Sequence, residues 1–465
     1  MASVVARALV TVDAEKASKQ DLELLKKLVM EFKDELDALG VKVDSLDKRV
    51  AVLEDRLGGW KVNGQFWFDA KFASDADRGG NSYTSDGGQN EFGFRFARFM
   101  ITKYIDDNTF FFARFRFNGW QGNPENFTSD RFYVQTKLPW DITFTLGRAY
   151  SDWEGDAGLY HSVMGDLEGG LWKDQKYDGF NFKKSFGMLD AELLVGRNDD
   201  MISDKYGYTG TYTLNTGLEE KEAFADDNAF MEYGLKLQAN LSENFYLGVM
   251  GLYFDADNVD DLPAATANSK YEWNRWIRGT ELDLQQYGAY LSYSFTPAIA
   301  LRGYYYWQDL DEGWAGAEFE DNPQAWSVML DVKQDLLKFT SLWVQYVEQD
   351  NAFVGPRAAD QYQYPAVYGF GMDAPINDGT NKTWLVTAEQ QWNDKWSSFL
   401  QYVTTDWDSN GYDDTDNYMI GIGYQYTPQI KFWLAYNYID YGDNAPSVTY
   451  SGSESVVLFR TAIDF

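Results

Sequence analysis

Two sets of charged side chains have residue types and a spacing that suit chemistry. The first is acidic and lies in SDWEGDAGLYHSVMGDLEGGLWKDQ, residues 151–175, as Asp152, Glu154, Asp156, Asp166 and Glu168. The second is basic and alternates with apolar residues, as Arg95, Arg114, Arg116, Arg131 and Lys137. Acids that face bases across a narrow wet gap create a transverse field, which orients dipolar solutes without a covalent step. The alternative is that the acids of residues 151–175 only decorate the surface.

The composition is a poor match for catalysis by a nucleophile or a metal. The 465 residues include no cysteine and one histidine, His161, which excludes thiolate chemistry, disulfides and multi-histidine metal sites. We find no Ser/His/Asp set, and we expect no enzyme activity and no cofactor.

Two acid-rich runs, DADNVDD and DSNGYDDTD, offer oxygen ligands for Ca²⁺, but neither has EF-hand spacing, so solvated acids are the alternative. The formal net charge of −32 argues against a nucleic-acid partner.

Alternation of apolar and polar residues predicts the elements that position these charges. In NTFFFARFRFNGW, residues 108–120, Phe111, Ala113, Phe115 and Phe117 share one face, while Arg114 and Arg116 share the other. Aromatic residues make up 17% of the chain although its mean hydropathy is −0.47, and no apolar run approaches the ~20 residues of a membrane-spanning helix. We count roughly eighteen alternating segments of about ten residues, or about sixteen if weak segments near 130–150 or 177–198 are not strands.

The connections between these segments alternate between short turns, such as 106–108 and 139–141, and long loops, such as 199–228 and 256–283. This is typical of an up-and-down meander. In hydrocarbon every backbone N–H and C=O needs a partner within the protein, so a sheet crosses a membrane only as a closed barrel. We therefore predict an all-β transmembrane barrel of antiparallel strands over residues 58–465, with a wet bore. Arg98 and Arg148 break the alternation, because each is a charged residue at a position where the pattern predicts an apolar one. This indicates bulges or subunit contacts.

A different period precedes the strands. Between residues 18 and 57 apolar side chains repeat every 3.5 residues, which is the pattern of an α-helical coiled coil, and Gly58-Gly59 ends the helix. The pattern does not fix the number of helices, and a helix packed on a globular core is the alternative. The predicted seam consists of Leu22, Leu25, Val29, Phe32, Leu36, Leu39, Val43, Leu46, Val50, Leu53 and Leu57.

The sequence closes on another alternating stretch, SVVLFRTAIDF, residues 455–465. Phe459, Ile463 and Phe465 share one face, and Arg460 and Asp464 share the other. A terminal aromatic residue after alternating apolar residues resembles the C-terminal recognition signal of bacterial outer-membrane proteins, which implies the barrel-assembly machinery as a partner. The opposite end, MASVVARALVTVD, lacks the basic and long apolar regions of a signal peptide.

Three stretches together resemble the S-layer-homology (SLH) porins that tether the outer membrane in diderm Firmicutes, the OmpM-type proteins. They are MASVVARAL, LKKLVMEFKDELDALGVKVDSLDKRVAVLEDRL and GGWKVNGQFWFDAKF. The resemblance implies that residues 1–17 are the end of an SLH domain with its linker, that 18–57 form a periplasmic stalk, and that 58–465 lie in the outer membrane.

The same resemblance implies partners and a site. It implies a homotrimer, and an SLH domain, mostly absent from this sequence, that binds peptidoglycan or its attached groups. General porins fold a long loop into the bore, so the resemblance places residues 151–175 opposite the basic side chains, as a constriction.

For function, the resemblance implies a general diffusion porin for small hydrophilic solutes that also tethers the outer membrane to the cell wall. Two alternatives stay open. One is a substrate-specific channel, for example for sugars that stack on lumen aromatics such as Tyr304 and Tyr306, and the other is a structural tether with a closed barrel.

Residues 1–57 carry 10 basic and 12 acidic side chains, a net of −2, which leaves −30 for residues 58–465. This excess of acid predicts a mild preference for cations.

Overall fold

The computed structural model describes residues 60–74, 90–120, 126–164, 174–198, 212–213, 219–220, 230–255, 281–354, 378–407, 411–444 and 452–465. The predicted SLH remnant, residues 1–17, and the predicted coiled coil, residues 18–57, lie outside the described residues. Both stay predictions.

Eighteen strands form one antiparallel sheet. Each strand pairs with the next along the chain, and the first also pairs with the last, where Gln65 opposes Asp464, so the sheet closes into a barrel. This confirms eighteen strands rather than sixteen, because the weak segments near 130–150 and 177–198 are strands. The strands are β1 Trp60–Ala73, β2 Asn90–Tyr104, β3 Thr109–Trp120, β4 Asn126–Leu138, β5 Ile142–Asp152, β6 Asp174–Ser185, β7 Leu189–Asn198, β8 Phe230–Ser242, β9 Phe245–Asp255, β10 Leu284–Thr296, β11 Ile299–Leu310, β12 Gln324–Val332, β13 Ser341–Asp350, β14 Thr380–Gln391, β15 Trp396–Asp406, β16 Thr415–Thr427, β17 Ile430–Asp440 and β18 Ser453–Asp464.

The two ends of the barrel differ in their connections. At one end, called the short-turn end, neighbouring strands join through a few residues, as in the 3₁₀ turn Pro139–Asp141 or the helix Gln334–Leu337. The other end, called the long-loop end, carries the helix α1, Trp153–Asp156, the 3₁₀ turn Ala315–Glu318 and the strand pair Tyr212–Thr213 with Glu219–Glu220. Within the described part of the chain, no helix combines the length and hydrophobicity that membrane crossing requires.

Side chains alternate between an apolar outer face and a polar inner face. Along β10, Tyr287 and Leu291 are 38% and 43% exposed and point outward, whereas Gln286 just before Tyr287 and Ser292 just after Leu291 are buried. Tyrosine and tryptophan side chains meet across strands on the outer face, as in the stacked rings of Tyr402 with Tyr418. The alternation places each strand's polar row in the lumen, as the sequence pattern predicts.

Both residues that break the expected parity have a structural explanation. In β2 one extra residue lies between Phe94 and Ala97, and this bulge places Arg98 opposite Arg116 on the inner face. Arg148 follows a regular register and lies on the outer face, where its guanidinium binds Asp178 of β6 with an Nε–Oδ1 distance of 2.8 Å. The bulge is therefore confirmed for Arg98, whereas for Arg148, which lies at no bulge in β5, the alternative of a subunit contact stays a prediction.

The chain's terminal residue completes the barrel seam. The N–H of Gly64 donates to the carbonyl of Phe465 at 2.7 Å, and the N–H of Phe465 donates to the carbonyl of Gly64 at 2.9 Å. The ring of Phe465 covers Gly64 and packs at 5.5 Å from the ring of Phe66. Phe459 of β18 is exposed on the outer face, as the alternation predicts, and Ile463 shares its parity.

Candidate functional site: the lumen and its inserted loop

The loop that follows β5 begins with a tight turn. We call residues 153–173 L3, of which 153–164 are described. Asp152 stabilises the turn because its carboxylate accepts from the N–H of Gly155 at 2.7 Å and from the hydroxyl of Tyr160 at 2.6 Å. A Cβ atom on Gly155 would lie 2.0 Å from the Asp152 carboxylate, so the turn requires glycine there.

L3 runs into the lumen instead of away from it. Three inward-facing side chains on three strands donate hydrogen bonds to its first half: Lys236 of β8 to the Trp153 carbonyl at 3.0 Å, Tyr246 of β9 to the Ala157 carbonyl at 2.6 Å, and Tyr306 of β11 to the Glu154 carboxylate at 2.9 Å. The first half of L3 is therefore fixed to the β8–β11 wall.

The second half of L3 continues across the lumen. The imidazole Nε2 of His161 lies 2.8 Å from Oε2 of Glu389 on β14, and the His161 ring stacks on Trp343 of β13. Arg460 of β18 approaches the carbonyl of Met164 at 3.5 Å. Over twelve described residues L3 thus passes from β5 to β14 and reaches β18.

Apolar packing reinforces this path. Trp153, Leu159, Val163 and Met164 are buried, and they belong to the same cluster as inward-facing residues of the β15, β17 and β18 strands: Val403, Ile439 and Leu458. Burying such side chains inside the barrel stabilises L3 in this position, since each removes apolar surface from water.

The acidic side chains of residues 151–175 have different roles. Asp152 shapes the turn, and Asp156 is exposed in the lumen at 3.8 Å from the ammonium of Lys183. Glu154 is fully buried against Tyr306, so the prediction that it lines the pore is wrong: L3 turns that carboxylate toward the barrel wall. Asp166 and Glu168 lie outside the described residues, and their role stays a prediction.

The basic side chains largely come together. Four arginines on the inner face of three adjacent strands form what we call the arginine patch: Arg98 of β2, Arg114 and Arg116 of β3, and Arg131 of β4. Arg98 opposes Arg116, and Arg114 opposes Arg131. Within the patch Asp130, the extra residue of a bulge in β4, binds Arg114 through Nε at 2.7 Å and Nη2 at 2.5 Å. The four guanidinium groups on these adjacent strands concentrate positive charge on this part of the inner face.

Two predicted basic residues lie outside the arginine patch. Lys137 is near the short-turn end and pairs with Asp141 at 3.2 Å. It lines a cavity of about 400 Å³ that also contacts Asp156, Lys183 and Glu192. Arg95 lies in the β2 bulge, directly after Phe94.

Most anchors of L3 lie away from the arginine patch in the ring. The patch occupies β2–β4 and the described anchors lie on β8, β9, β11, β13 and β14, except that the tip of L3 reaches β18, which is separated from β2 only by β1. In an eighteen-strand ring β3 and β12 are half a circumference apart. The arrangement places an electropositive wall across the lumen from the wall that carries L3.

The described residues hold no group of three or more His, Asp or Glu side chains suited to a metal ion. The acid-rich runs named above lie partly outside the described residues, at 256–261 and 408–410. Where they are described, acids crowd together. Partial burial and the negative charges of Asp406, Asp416 and Asp413 raise the pKa of Asp414 above the usual value of an aspartate.

No protein-family model and no curated protein sequence matches the chain. Solved structures do resemble it. OccK11 (OpdR) of Pseudomonas aeruginosa is 9% identical, with 87% of this chain and 95% of that chain covered and a TM-score of 0.50. The chain shares the closed β-barrel fold of that structure. OccD3 (OpdP) of the same organism is 12% identical over 88% of this chain and 91% of that chain, with a TM-score of 0.49. OmpT, an outer membrane protein of Vibrio cholerae, is 11% identical over 87% and 97%, with a TM-score of 0.42. At these identities the likeness concerns the fold alone.

Sequence reasoning missed several residues of the lumen. Arg98 belongs to the arginine patch. The alternation along β2 predicts the outer face for it, because the pattern does not include the bulge that precedes it. His161 is the one histidine of the sequence, and nothing near it in sequence indicates Glu389 or Trp343. Tyr306 is predicted as a lumen aromatic but not as an anchor of L3. Lys236 and Tyr246 alternate as inward-facing residues, and that alternation is the signal that could identify them as lumen residues.

Proposed function

We propose that this protein is an outer-membrane porin through which small hydrophilic solutes diffuse. The observation that carries the proposal is the inserted L3: a closed barrel with an apolar outer face holds a loop across its lumen, opposite an electropositive wall. A loop fixed in this way narrows a bore that eighteen strands alone would leave wide. The proposal includes no catalytic step.

Selection in such a channel depends on width and charge at its narrowest part. A solute passing between L3 and the arginine patch exchanges part of its hydration shell for the guanidinium groups of Arg98, Arg116 and Arg131 and for the exposed carboxylate of Asp156. A dipolar solute aligns with its negative end toward the patch, because the field there is fixed by the strands. The favourable interaction of the dipole with this field offsets the rotational entropy that the solute loses in the narrow part.

The test is conductance of the purified chain in planar lipid bilayers. We expect discrete steps in KCl solution and liposome swelling with small sugars at rates that fall smoothly as the sugars become larger. Conductance near zero, together with no swelling, would contradict the porin proposal and favour a closed structural barrel.

A substrate-specific channel is the second candidate, and the arginine patch favours it. Four guanidinium groups on one wall suit solutes with carboxylate or phosphate groups. The sugar-stacking version has less support, since Tyr304 and Tyr306 stack on each other at 4.2 Å and are buried, Tyr306 against L3. Transport that saturates at low concentration of an anionic solute would favour the specific channel, whereas linear transport favours general diffusion.

We further propose that the porin is a homotrimer whose N-terminal stalk tethers the outer membrane to the cell wall. The heptad pattern of residues 18–57 supports association of copies, since a coiled coil needs more than one helix. The mass of the full chain in mild detergent tests this: three copies per particle are expected. Co-sedimentation of a form with an intact SLH domain, but not of this chain, with peptidoglycan would support the tether.

A further inference from the structure

A row of side chains, most of them charged, crosses the inner face of five adjacent strands near the short-turn end. Each member lies directly opposite the next in the sheet, and β4 to β8 contribute one residue each: Lys137, Thr143, Lys183, Glu192 and Lys236. Residues that oppose each other directly in an antiparallel sheet share a face. The whole row therefore faces the lumen, because Lys236 donates to the Trp153 carbonyl of L3 inside the barrel.

The cavity of about 400 Å³ described above lies against this row. The turn that ends at Asp141 borders it near the short-turn end, and α1 contributes Asp156. In total four lysines and four acids line the cavity, so positive and negative groups are equal in number. Its volume is in the range of small-molecule sites. The balance of charge suits a ligand that carries both signs, unlike the arginine patch.

Two of the charged groups are occupied by contacts within the protein. The ammonium of Lys236 is buried and donates to the Trp153 carbonyl at 3.0 Å. The buried carboxylate of Glu192 accepts from the Asn181 amide at 2.6 Å and pairs with the ammonium of Lys183 at 3.2 Å. Lys236 and Glu192 thus shape the wall of the cavity.

Three other charged groups are accessible to a solute. The side chains of Lys137, Lys183 and Asp156 are 57%, 48% and 55% exposed. The ammonium of Lys183 lies 3.8 Å from the carboxylate of Asp156, beyond the length of about 2.7–2.9 Å that a charge-assisted hydrogen bond has. Among the described residues, no donor lies within hydrogen-bond distance of the Asp156 carboxylate. A positive and a negative group therefore lie side by side, and both have room for a further partner.

We propose that this cavity is a binding site for small zwitterionic solutes of the α-amino-acid type. The inference deepens the proposed porin function and rests on it, because solutes reach the cavity from the bore. The ammonium and carboxylate of an α-amino acid are attached to one carbon, so both contact neighbouring charges of opposite sign at once. The solute's carboxylate binds the ammonium of Lys183, with Lys137 as a second cation in the same row, and its ammonium binds Asp156. A solute with one charge makes only one of these contacts.

Binding of three matched probes to the purified full chain in detergent tests the proposal. At pH 6, L-alanine carries both charges, N-acetyl-L-alanine is an anion and L-alaninamide is a cation. Low salt keeps the screening of exposed charges small. Saturation-transfer NMR of the methyl protons gives a dissociation constant for each probe, and we expect saturable binding of L-alanine.

Changes of the two neighbouring charged groups separate the contributions of the two ends of the solute. Asp156→Asn should weaken binding of L-alanine and L-alaninamide about fivefold, the size of one exposed charge pair, and leave N-acetyl-L-alanine unchanged. Asp156→Lys should weaken the same two probes further and strengthen N-acetyl-L-alanine. Lys183→Gln keeps an amide that can donate to Glu192, and it should weaken L-alanine and N-acetyl-L-alanine but not L-alaninamide. If Lys183→Gln does not fold, the exposed Asp156 variants decide alone.

The matched controls are Asp335→Asn and Lys338→Gln, exposed changes at the short-turn end outside the cavity, which should leave all three probes unchanged. The inference is overturned if wild type shows no saturable L-alanine binding, or if Asp156→Asn binds L-alanine as tightly as wild type. Weakening by Lys183→Gln alone would identify a site for anions and would also overturn it. None of these measurements needs a conducting channel. Conductance in KCl without L-alanine binding leaves the porin proposal standing, whereas binding without conductance contradicts the porin and leaves the cavity as a solute site.

Discussion

At the scale of single residues, the lumen contains an ion pair that has no contact with solvent. Asp69 of β1 and Arg460 of β18 are both 0% exposed, and the guanidinium binds the carboxylate through Nε and Nη2, each at 2.6 Å. The pair bridges the first and last strands at the barrel seam. Removing one partner deprives the other buried charge of this bidentate bond, whereas replacing both with apolar side chains leaves an apolar contact.

Asp69→Asn should therefore destabilise the folded barrel by about 3–5 kcal/mol, and Asp69→Leu combined with Arg460→Met should restore much of that loss. Urea unfolding in detergent micelles, followed by tryptophan fluorescence, measures the difference. The matched control is Lys137→Gln with Asp141→Asn, because that pair is exposed and should contribute less than about 1 kcal/mol. Equal effects of the buried and exposed pairs would contradict the argument.

The crowded acids next to β16 make a second residue-scale prediction. Partial burial and three neighbouring carboxylates raise the pKa of Asp414. An acid whose pKa is raised by folding destabilises the folded state above that pKa and ceases to do so once protonated. Asp414→Asn should consequently raise the unfolding temperature at pH 7 and leave it unchanged at pH 3. Asp335→Asn, a change of an exposed acid at the short-turn end and away from this cluster, is the control. A gain from Asp414→Asn that is equal at both pH values would contradict the explanation.

At the scale of elements, closure of the barrel depends on the fit between Phe465 and Gly64. A Cβ atom at position 64 would lie 2.2 Å from Cζ of the Phe465 ring, so the ring must move if any side chain is added there. Overpacking of this kind costs about 1–3 kcal/mol. Gly64→Ala should lower the urea midpoint accordingly, and adding Phe465→Leu should recover part of the loss.

Gly251→Ala is the control for this prediction. Gly251 also faces outward from a strand, but its added Cβ would meet Tyr287 at an ordinary 3.8 Å. Its effect should stay well below that of Gly64→Ala. Similar losses at both positions would show that strand glycine itself, and not the terminal ring, sets the stability of the seam.

Some features of the strands and loops can be predicted from neighbouring residues alone, and others cannot. The two-residue period of β3 predicts its faces because alternation depends only on neighbours along the chain. The bulge that turns Arg98 inward depends on the register with β3, so the pattern of β2 alone misplaces it. The path of L3 depends on Lys236, Tyr306 and Glu389, which are far away in sequence. Its entry into the lumen came from the resemblance to porins, and its anchors required the structure.

At the scale of the whole molecule, two opposing charge distributions act on a permeating ion. Residues 58–465 carry a net charge of −30, spread over lumen and loops, whereas the arginine patch concentrates positive charge on one wall. The diffuse excess raises the cation concentration at both mouths of the bore, and the patch opposes cations only along the β2–β4 wall. A mild cation preference is the expected balance.

Reversal potentials in a KCl gradient measure that balance. Arg98→Gln with Arg116→Gln should strengthen the cation preference, because it removes half of the patch and leaves the acids in place. Lys338→Gln, an exposed change at the short-turn end, should shift the potential much less. The preference should also weaken as salt rises, since the Debye length falls from about 10 Å at 0.1 M to about 3 Å at 1 M. A wild-type potential that favours anions would mean that the arginine wall, and not the acidic excess, controls selectivity.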